Sequence, residues 1–329
     1  MEQKVVRYGI MGAASIVPRI IAGIHESPNS QVVAIAARNL EKAQKVATQF
    51  EIPVAYGNYE ELCADQNIDV IYIPLWNAGH YAGAKLALQH HKNVLLEKPF
   101  TLTYAQAKDL FELARKQQCF LMEGQKAAFL TVTDQVRKQL LKRQAIGKIY
   151  GITIQESHPG IEKIPWFHDV TVGGGAFYGS ASYGLEYLQL VLQTDIVAYQ
   201  GQISHTALQA DDQVQLNLKL KSGQLASVFM TTLSQQLSSQ ITFWGTKGSL
   251  TVPNYWKTDA YELTVNHVTQ KFKQTQKSEF VYEFNHVSEQ ILNKQQASSV
   301  MTPAITLKTM KIIEGLYRQW FPTQMKKIR

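Results

Sequence analysis

The chain has 329 residues, enough for two cores rather than one. Its 45% hydrophobic and 18% charged content excludes a disordered chain, and its two cysteines, Cys63 and Cys119, form no CxxC pair or Cys/His cluster. The net charge of +7 is scattered, densest only at Lys326, Lys327 and Arg329, which argues for a solvated tail and against a nucleic-acid partner.

In chain order, Val5 to Met11 reads as a short apolar strand, followed over residues 15 to 26 by Ile16, Ile20, Ile21 and Ile24 at helical spacing. Gln31 to Ala37 is a second strand, and Asn39 is placed to cap a helix reaching about Phe50. Val70 to Ile73 is a third clear strand, closed by Pro74, before a helix from about Ala78 to His91. Val94 to Leu96, a helix from Thr103 to about Gln117, and Phe120 to Met122 continue the alternation. Continuous apolar strands alternating with helices predict an α/β doubly wound parallel sheet, a Rossmann fold, whose ligands bind at the carboxyl ends of the strands. The strand pattern changes later. Val214, Leu216, Leu218 and Leu220 alternate with Gln215, Asn217 and Lys219, and Ser222-Gly223 turns the chain into Leu225 to Met230. That period of two predicts a large, mostly antiparallel sheet in a C-terminal α+β domain. The expected boundary puts a dinucleotide-binding domain at 1–124 and a substrate-binding and dimerisation domain at 125–329, with the last helices either covering a sheet or returning to the first domain. The two terminal helical stretches, Glu289 to Leu292 and Ile305 to Trp320, look amphipathic.

Chemistry concentrates in the first third. Gly9-Ile10-Met11-Gly12-Ala13-Ala14-Ser15-Ile16 is a G-x-x-G-x-A variant of the dinucleotide fingerprint, lying between strand and helix. Gly12 lets the backbone approach a pyrophosphate, and the helix start offers N–H groups and a positive dipole end. The second strand ends in Ala37-Arg38-Asn39, with no acid to hold a ribose diol. An arginine there pairs with a 2′-phosphate, so NADP(H) is expected over NAD(H). Lys98 lies just past the carboxyl end of the strand that ends at Leu96, and Pro99 holds it extended.

Glu97-Lys98-Pro99 resembles the hallmark tripeptide of the Gfo/Idh/MocA oxidoreductases. Asn77 and His80 after the third clear strand agree with that resemblance. So do Gly173-Gly174-Gly175-Ala176, Asp211-Asp212 opening a strand, and the hairpin Gly245-Thr246-Lys247-Gly248-Ser249-Leu250. The first half is most similar to the dihydrodiol dehydrogenase and glucose–fructose oxidoreductase branch. The resemblance implies that Lys98 touches the nicotinamide ribose and a substrate hydroxyl. Tyr183 is then the general acid or base, and Leu75, Trp76, Asn77, His80 and Glu97 border the cofactor. It also implies a homo-oligomer, a dimer or dimer of dimers, packed through the open sheet face. One departure stands out. The family pattern G-G-G-A-L-x-D-x-G-x-(Y/H) has an aspartate where this chain has Gly179 and a glycine where it has Ala181. Asp169 is a candidate substitute for the lost carboxylate. His158 and His168 flank a loop, Pro159 to Phe167, placed to cover a substrate, and no metal is expected.

The expected function is an NADP(H)-dependent dehydrogenase or reductase acting on a CH–OH carbon of a sugar, polyol, diol or similar small molecule. Gly179 keeps a second reading open, a nucleotide-binding regulator with weakened catalysis. A third is a lyase or glycosidase that oxidises its substrate transiently with a permanently bound cofactor. With no signal-peptide pattern after Met1 and no apolar run near the ~20 residues of a membrane span, the expected setting is the cytoplasm, with no membrane partner.

Overall fold

A computed structural model describes residues 4–205, 209–275 and 278–328. The chain forms two compact units, Met1–Lys126 with Lys277–Met310, and Ala127–Gln276 with Lys311–Arg329.

The first unit is built on six parallel strands. They are β1 (Val6–Met11), β2 (Ser30–Ala36), β3 (Val54–Tyr56), β4 (Val70–Ile73), β5 (Asn93–Glu97) and β6 (Leu121–Gly124), in the order β3-β2-β1-β4-β5-β6. The order reverses between β1 and β4, which opens a crevice at their carboxyl ends. The connecting helices are α1 (Val17–Glu26), α2 (Leu40–Gln49), α3 (Tyr59–Ala64), α4 (His80–Gln89) and α5 (Tyr104–Gln117). As the sequence predicts, Asn39 caps α2 by accepting from Lys42 N–H at 3.2 Å, and Thr103 caps α5 through Gln106 N–H at 3.2 Å. The pattern did not reveal β3 and α3. Three residues are too few to display alternation, and six make fewer than two helical turns.

A late segment completes this unit. The helix α8 (Val281–Leu292) buries Glu283, Phe284, Val287 and Ser288 on one face. Phe284 meets Tyr8 edge-on at 5.3 Å, and Ser288 Oγ lies 2.9 Å from the Tyr8 hydroxyl. Helix α1 approaches this segment at Gly23, where a Cβ would lie 2.6 Å from that of Phe280.

The second unit holds eight strands: β7 (Ile149–Ser157), β8 (Ile196–Ser204), β9 (Gln213–Leu220), β10 (Leu225–Thr231), β11 (Gln240–Gly245), β12 (Gly248–Pro253), β13 (Ala260–Val265) and β14 (Val268–Lys273). Their order is β14-β13-β12-β11-β7-β10-β9-β8, and every pairing is antiparallel except β10 with β7. The predicted alternation holds in β9, where Val214, Leu216, Leu218 and Leu220 are buried and Gln215, Asn217 and Lys219 are exposed. The predicted hairpin joins β11 to β12, with Gly245 opposite Gly248. The remaining helices are α6 (Thr131–Arg137), α7 (Ala176–Leu192), α9 (Pro303–Trp320) and α10 (Pro322–Met325). Helix α7 packs on β9 and β10, while α9 begins in the first unit and ends in the second. Among the described residues no helix is long and apolar enough to cross a membrane.

Candidate active site

At the end of β1 the chain turns through Gly12, whose φ of +118° suits only glycine. A Cβ there would also lie 2.9 Å from Leu75 Cδ2, so a side chain would in addition have to displace that methyl. The Gly12 N–H donates to Ala36 O at 2.8 Å, tying the turn to β2. The next backbone N–H to find a backbone carbonyl among the described residues is that of Val17, on Ala14 O at 3.0 Å. Among the described residues, the N–H groups of Ala13, Ala14, Ser15 and Ile16 find no backbone carbonyl. The start of α1 has no side-chain cap and no acidic residue in its first turn. A run of N–H groups without backbone partners at a helix start, with no acidic residue in the first turn, fits a pyrophosphate. Gly9 belongs elsewhere. It is buried inside β1, and a Cβ on it would press on Ile68 and Leu62.

At the end of β2, Ala37 is buried and its N–H donates to Tyr56 O at 3.2 Å. Arg38 beside it lines a cavity of about 250 Å³ with Tyr59, Leu75, Trp76, Gly79 and Leu86. Among the described residues, no carboxylate lines this cavity. Burial raises the pKa of the Tyr59 hydroxyl and the Arg38 charge lowers it, which marks the two as neighbours. Tyr59 escaped the sequence reading because α3 did. Its signal was present: Asn58 followed three residues later by Glu61 is a helix-start pattern, and Asn58 Oδ1 accepts from Glu61 N–H at 2.8 Å.

After β4 the chain passes Leu75, the exposed Trp76 and the buried Asn77 before α4 opens at His80. His80 is fully buried. Its Nδ1 lies 2.8 Å from Pro99 O and its Nε2 2.9 Å from Leu75 O. The ring thus clamps the loop after β4 to the loop after β5. Burial pulls its pKa below the ordinary value, against the two carbonyls, which raise it. A histidine with both nitrogens on main-chain carbonyls positions loops and has no nitrogen left for a ligand.

Lys98 leaves the carboxyl end of β5, and the Lys98–Pro99 bond is cis. Glu97 anchors it. Tyr72 donates to Glu97 Oε1 at 2.6 Å, and the Lys98 N–H donates to Glu97 Oε2 at 3.1 Å. Beneath this turn lies a buried charged group that the sequence pattern did not mark. The Phe100 N–H donates to Glu123 Oε1 at 3.2 Å. Lys126 Nζ sits 5.0 Å from the Phe280 ring centre, and Glu283 projects from α8. Burial pushes the Glu283 carboxyl up to about 8 and the Lys126 ammonium down to about 8, with the Glu97 charge raising both.

In the second unit the glycine run shapes the start of α7. Gly173 and Gly175 have φ of +85° and +104°. A Cβ on Gly174 would lie 2.5 Å from Phe167 O, and one on Gly175 would meet the Asp211 carboxylate at 2.1 Å. Asp211 caps α7 from a distance. Its Oδ2 accepts from Phe177 N–H at 2.7 Å, its Oδ1 from the Tyr317 hydroxyl at 2.6 Å, and its main-chain carbonyl from Ala176 N–H at 2.8 Å. Burial pushes this carboxyl up to about 6 from an ordinary 3.8. Between those values the folded chain binds a proton that the unfolded chain has released, so this group's stabilisation is full below about 4 and is lost as pH rises to about 6. The loss is on the order of 3 kcal/mol by the pKa difference. Asp211→Asn is expected to flatten this part of the stability profile. A series of melting curves from pH 4 to 6 checks it, and an unchanged slope in the variant contradicts the assignment.

Two turns along α7, Tyr183 is buried with a small exposed margin, its ring 5.9 Å from that of Trp256. At Gly179 a Cβ would lie 3.2 Å from Phe167 Cε1, so a side chain there would need the Phe167 ring to give by a few tenths of an ångström. Asp169 is engaged locally, accepting from Thr171 N–H at 2.8 Å and the Thr171 hydroxyl at 2.7 Å. Along the loop from 159 to 168 the chain makes short 3-10 turns, the second of which ends at His168.

A switch-point crevice with a glycine turn and an arginine-lined cavity is the arrangement of a dinucleotide-binding fold. An oxidoreductase family with an NAD-binding Rossmann fold matches residues 6–125, and the Gfo/Idh/MocA C-terminal domain matches residues 135–251. The trans-1,2-dihydrobenzene-1,2-diol dehydrogenase of Xenopus tropicalis is 31% identical over 326 residues, covering 95% of this chain and 97% of that one. That of Mus musculus is 30% identical over 324 residues, covering 94% and 95%. Solved structures share the fold. A 3-ketoreductase from Actinomadura kijaniata in complex with NADP and TDP-benzene has a TM-score of 0.85 at 20% identity, covering 95% of this chain and 97% of that one. An aldose-aldose oxidoreductase from Caulobacter crescentus complexed with glycerol has a TM-score of 0.86 at 20% identity, covering 96% and 97%. The chain belongs to the Gfo/Idh/MocA family.

Proposed function

We propose that the chain is an NADP(H)-dependent dehydrogenase or reductase that moves hydride between nicotinamide and a CH–OH or carbonyl carbon of a diol, polyol or sugar. The observation that carries the reading is Arg38, in a cavity wall that holds no carboxylate among the described residues. Relatives named as diol dehydrogenases and a fold neighbour that holds NADP support it.

The N–H groups of Ala13 to Ile16 would hold the pyrophosphate, and Arg38 the 2′-phosphate, with Tyr59 and Trp76 beside the adenine. The nicotinamide, when bound, supplies or accepts the hydride. Lys98, fixed through Glu97, would lower the pKa of the reacting hydroxyl by its charge. Tyr183 would take or return that hydroxyl's proton. The second unit would bind substrate and pair two copies through the open face of its sheet, in the cytoplasm. Gly179 favours one other reading, a nucleotide-binding regulator with weakened catalysis.

Calorimetric titration with NADPH and NADH tests the cofactor assignment. NADPH is expected to bind more tightly, and Arg38→Ala to weaken NADPH about 10- to 100-fold while leaving NADH within about threefold, since a charge-assisted bond contributes ~1.5–3 kcal/mol. Tighter binding of NADH by the unmodified protein overturns the assignment.

A further inference from the structure

The second unit holds a histidine–carboxylate pair that the proton-handling scheme leaves unused. Glu156, the penultimate residue of β7, has no solvent exposure. Its Oε1 accepts from the Tyr255 hydroxyl, and its Oε2 lies 3.1 Å from His158 Nε2. His158 follows β7 directly. Its N–H donates to Thr231 O at 3.0 Å, fixing the main chain to the end of the parallel strand β10. The side chain of His158 is 26% exposed where that of Glu156 is 0%.

Both groups connect to the Tyr183 segment through a shared neighbour, Trp256 or Gly184. The His158 ring centre is 5.3 Å from that of Trp256, and Trp256 is 5.9 Å from Tyr183 on its other contact. Gly184, the residue after Tyr183, has no side chain because α7 runs close to this pair. A Cβ there would stand 3.2 Å from the Tyr255 hydroxyl and 3.5 Å from Glu156 Oε1. The partly exposed Trp256 indole is thus bordered by the Tyr183 ring and by an imidazole backed by a buried carboxylate.

The carboxylate selects the tautomer. Glu156 accepts from Nε2–H, which leaves Nδ1 of the neutral ring as an acceptor. Nδ1 has no hydrogen-bond partner among the described residues. A ring-shaped substrate lying on Trp256 would set one hydroxyl at Tyr183 and offer the proton of an adjacent hydroxyl to Nδ1. We propose that Glu156, His158 and Trp256 form a subsite for the second hydroxyl of a vicinal diol, with His158 as its acceptor and Glu156 as the positioning residue. This rests on the dehydrogenase reading for its substrate class, but not for its binding test.

The test titrates the protein, with and without NADP⁺, with trans-1,2-cyclohexanediol and with cyclohexanol. The unmodified protein is expected to bind the diol at least about tenfold more tightly than the mono-alcohol, as a site built to pair a hydroxyl discriminates against its absence. His158→Ala should bring the diol down to the mono-alcohol's affinity while leaving the Kd for NADP⁺ unchanged. Glu156→Gln offers Nε2 an amide N–H, reverses the tautomer, and should remove the same preference, a selectivity readout that simple loosening would not produce. Absence of a diol preference in the unmodified protein, or its survival in His158→Ala, overturns the subsite. A histidine-dependent diol preference without NADP⁺ binding upholds the subsite and overturns the cofactor reading instead.

Discussion

Lys98→Ala is expected to lower kcat about 10³-fold while changing the Kd for NADPH less than about threefold. Positioned acid–base and charge-stabilising groups each contribute ~10²- to 10⁴-fold. Lys98 stands just beyond β5 on a turn that Tyr72 and Glu97 hold in place, so the ammonium is presented from a rigid base. Groups assigned to the cofactor phosphates, the N–H run after Gly12 and Arg38, lie on other loops of the same unit and are untouched by the change. Lys98→Arg is not expected to restore the rate, because a planar fork cannot replace a compact point charge at one oxygen. Steady-state kinetics with a parallel cofactor titration measures both quantities. A kcat within tenfold of the parent contradicts the role.

Gly175→Ala is expected to destabilise the second unit by about 3–5 kcal/mol. Its φ of +104° with ψ of 156° is a region essentially confined to glycine, costing ~1–3 kcal/mol for any other residue. The added Cβ would also collide with the carboxylate that caps α7, and overpacking costs ~1–3 kcal/mol more. The melting temperature should fall on the order of 10 °C. Gly160 supplies the control. Its φ is +92°, but nothing lies within 4 Å of its Cβ position, so Gly160→Ala should lose only the backbone contribution, ~1–2 kcal/mol. Equal losses at the two sites would show that the close approach to Asp211 contributes nothing.

The parts of the fold that were legible in the sequence carry local signals. Asn39 and Thr103 announce their helices by capping, and the alternation from Val214 to Leu220 announces a half-buried strand. Gly12 was also legible, because a glycine between a strand and a helix has few other uses. Gly9 was not, since a glycine inside a strand carries no mark of the Ile68 and Leu62 side chains that press on it. Lys126 and Glu283 are far apart in sequence and are brought together by α8 joining the first unit. Local patterns do not encode that return. His80 could be placed at a helix start, but its two carbonyl partners come from loops after different strands. The triple glycine was recognised as a motif. Its cause, the cap supplied by Asp211 from 36 positions beyond Gly175, depends on tertiary structure.

The most direct test of the central claim follows nicotinamide absorbance while the protein is supplied with NADP⁺ and a panel of vicinal diols, polyols and sugars. Reduction of NADP⁺ by at least one diol, faster than with NAD⁺ and lost in Lys98→Ala, is the predicted result. Tight NADP⁺ binding with no reduction across the panel would contradict a dehydrogenase and favour a nucleotide-binding regulator.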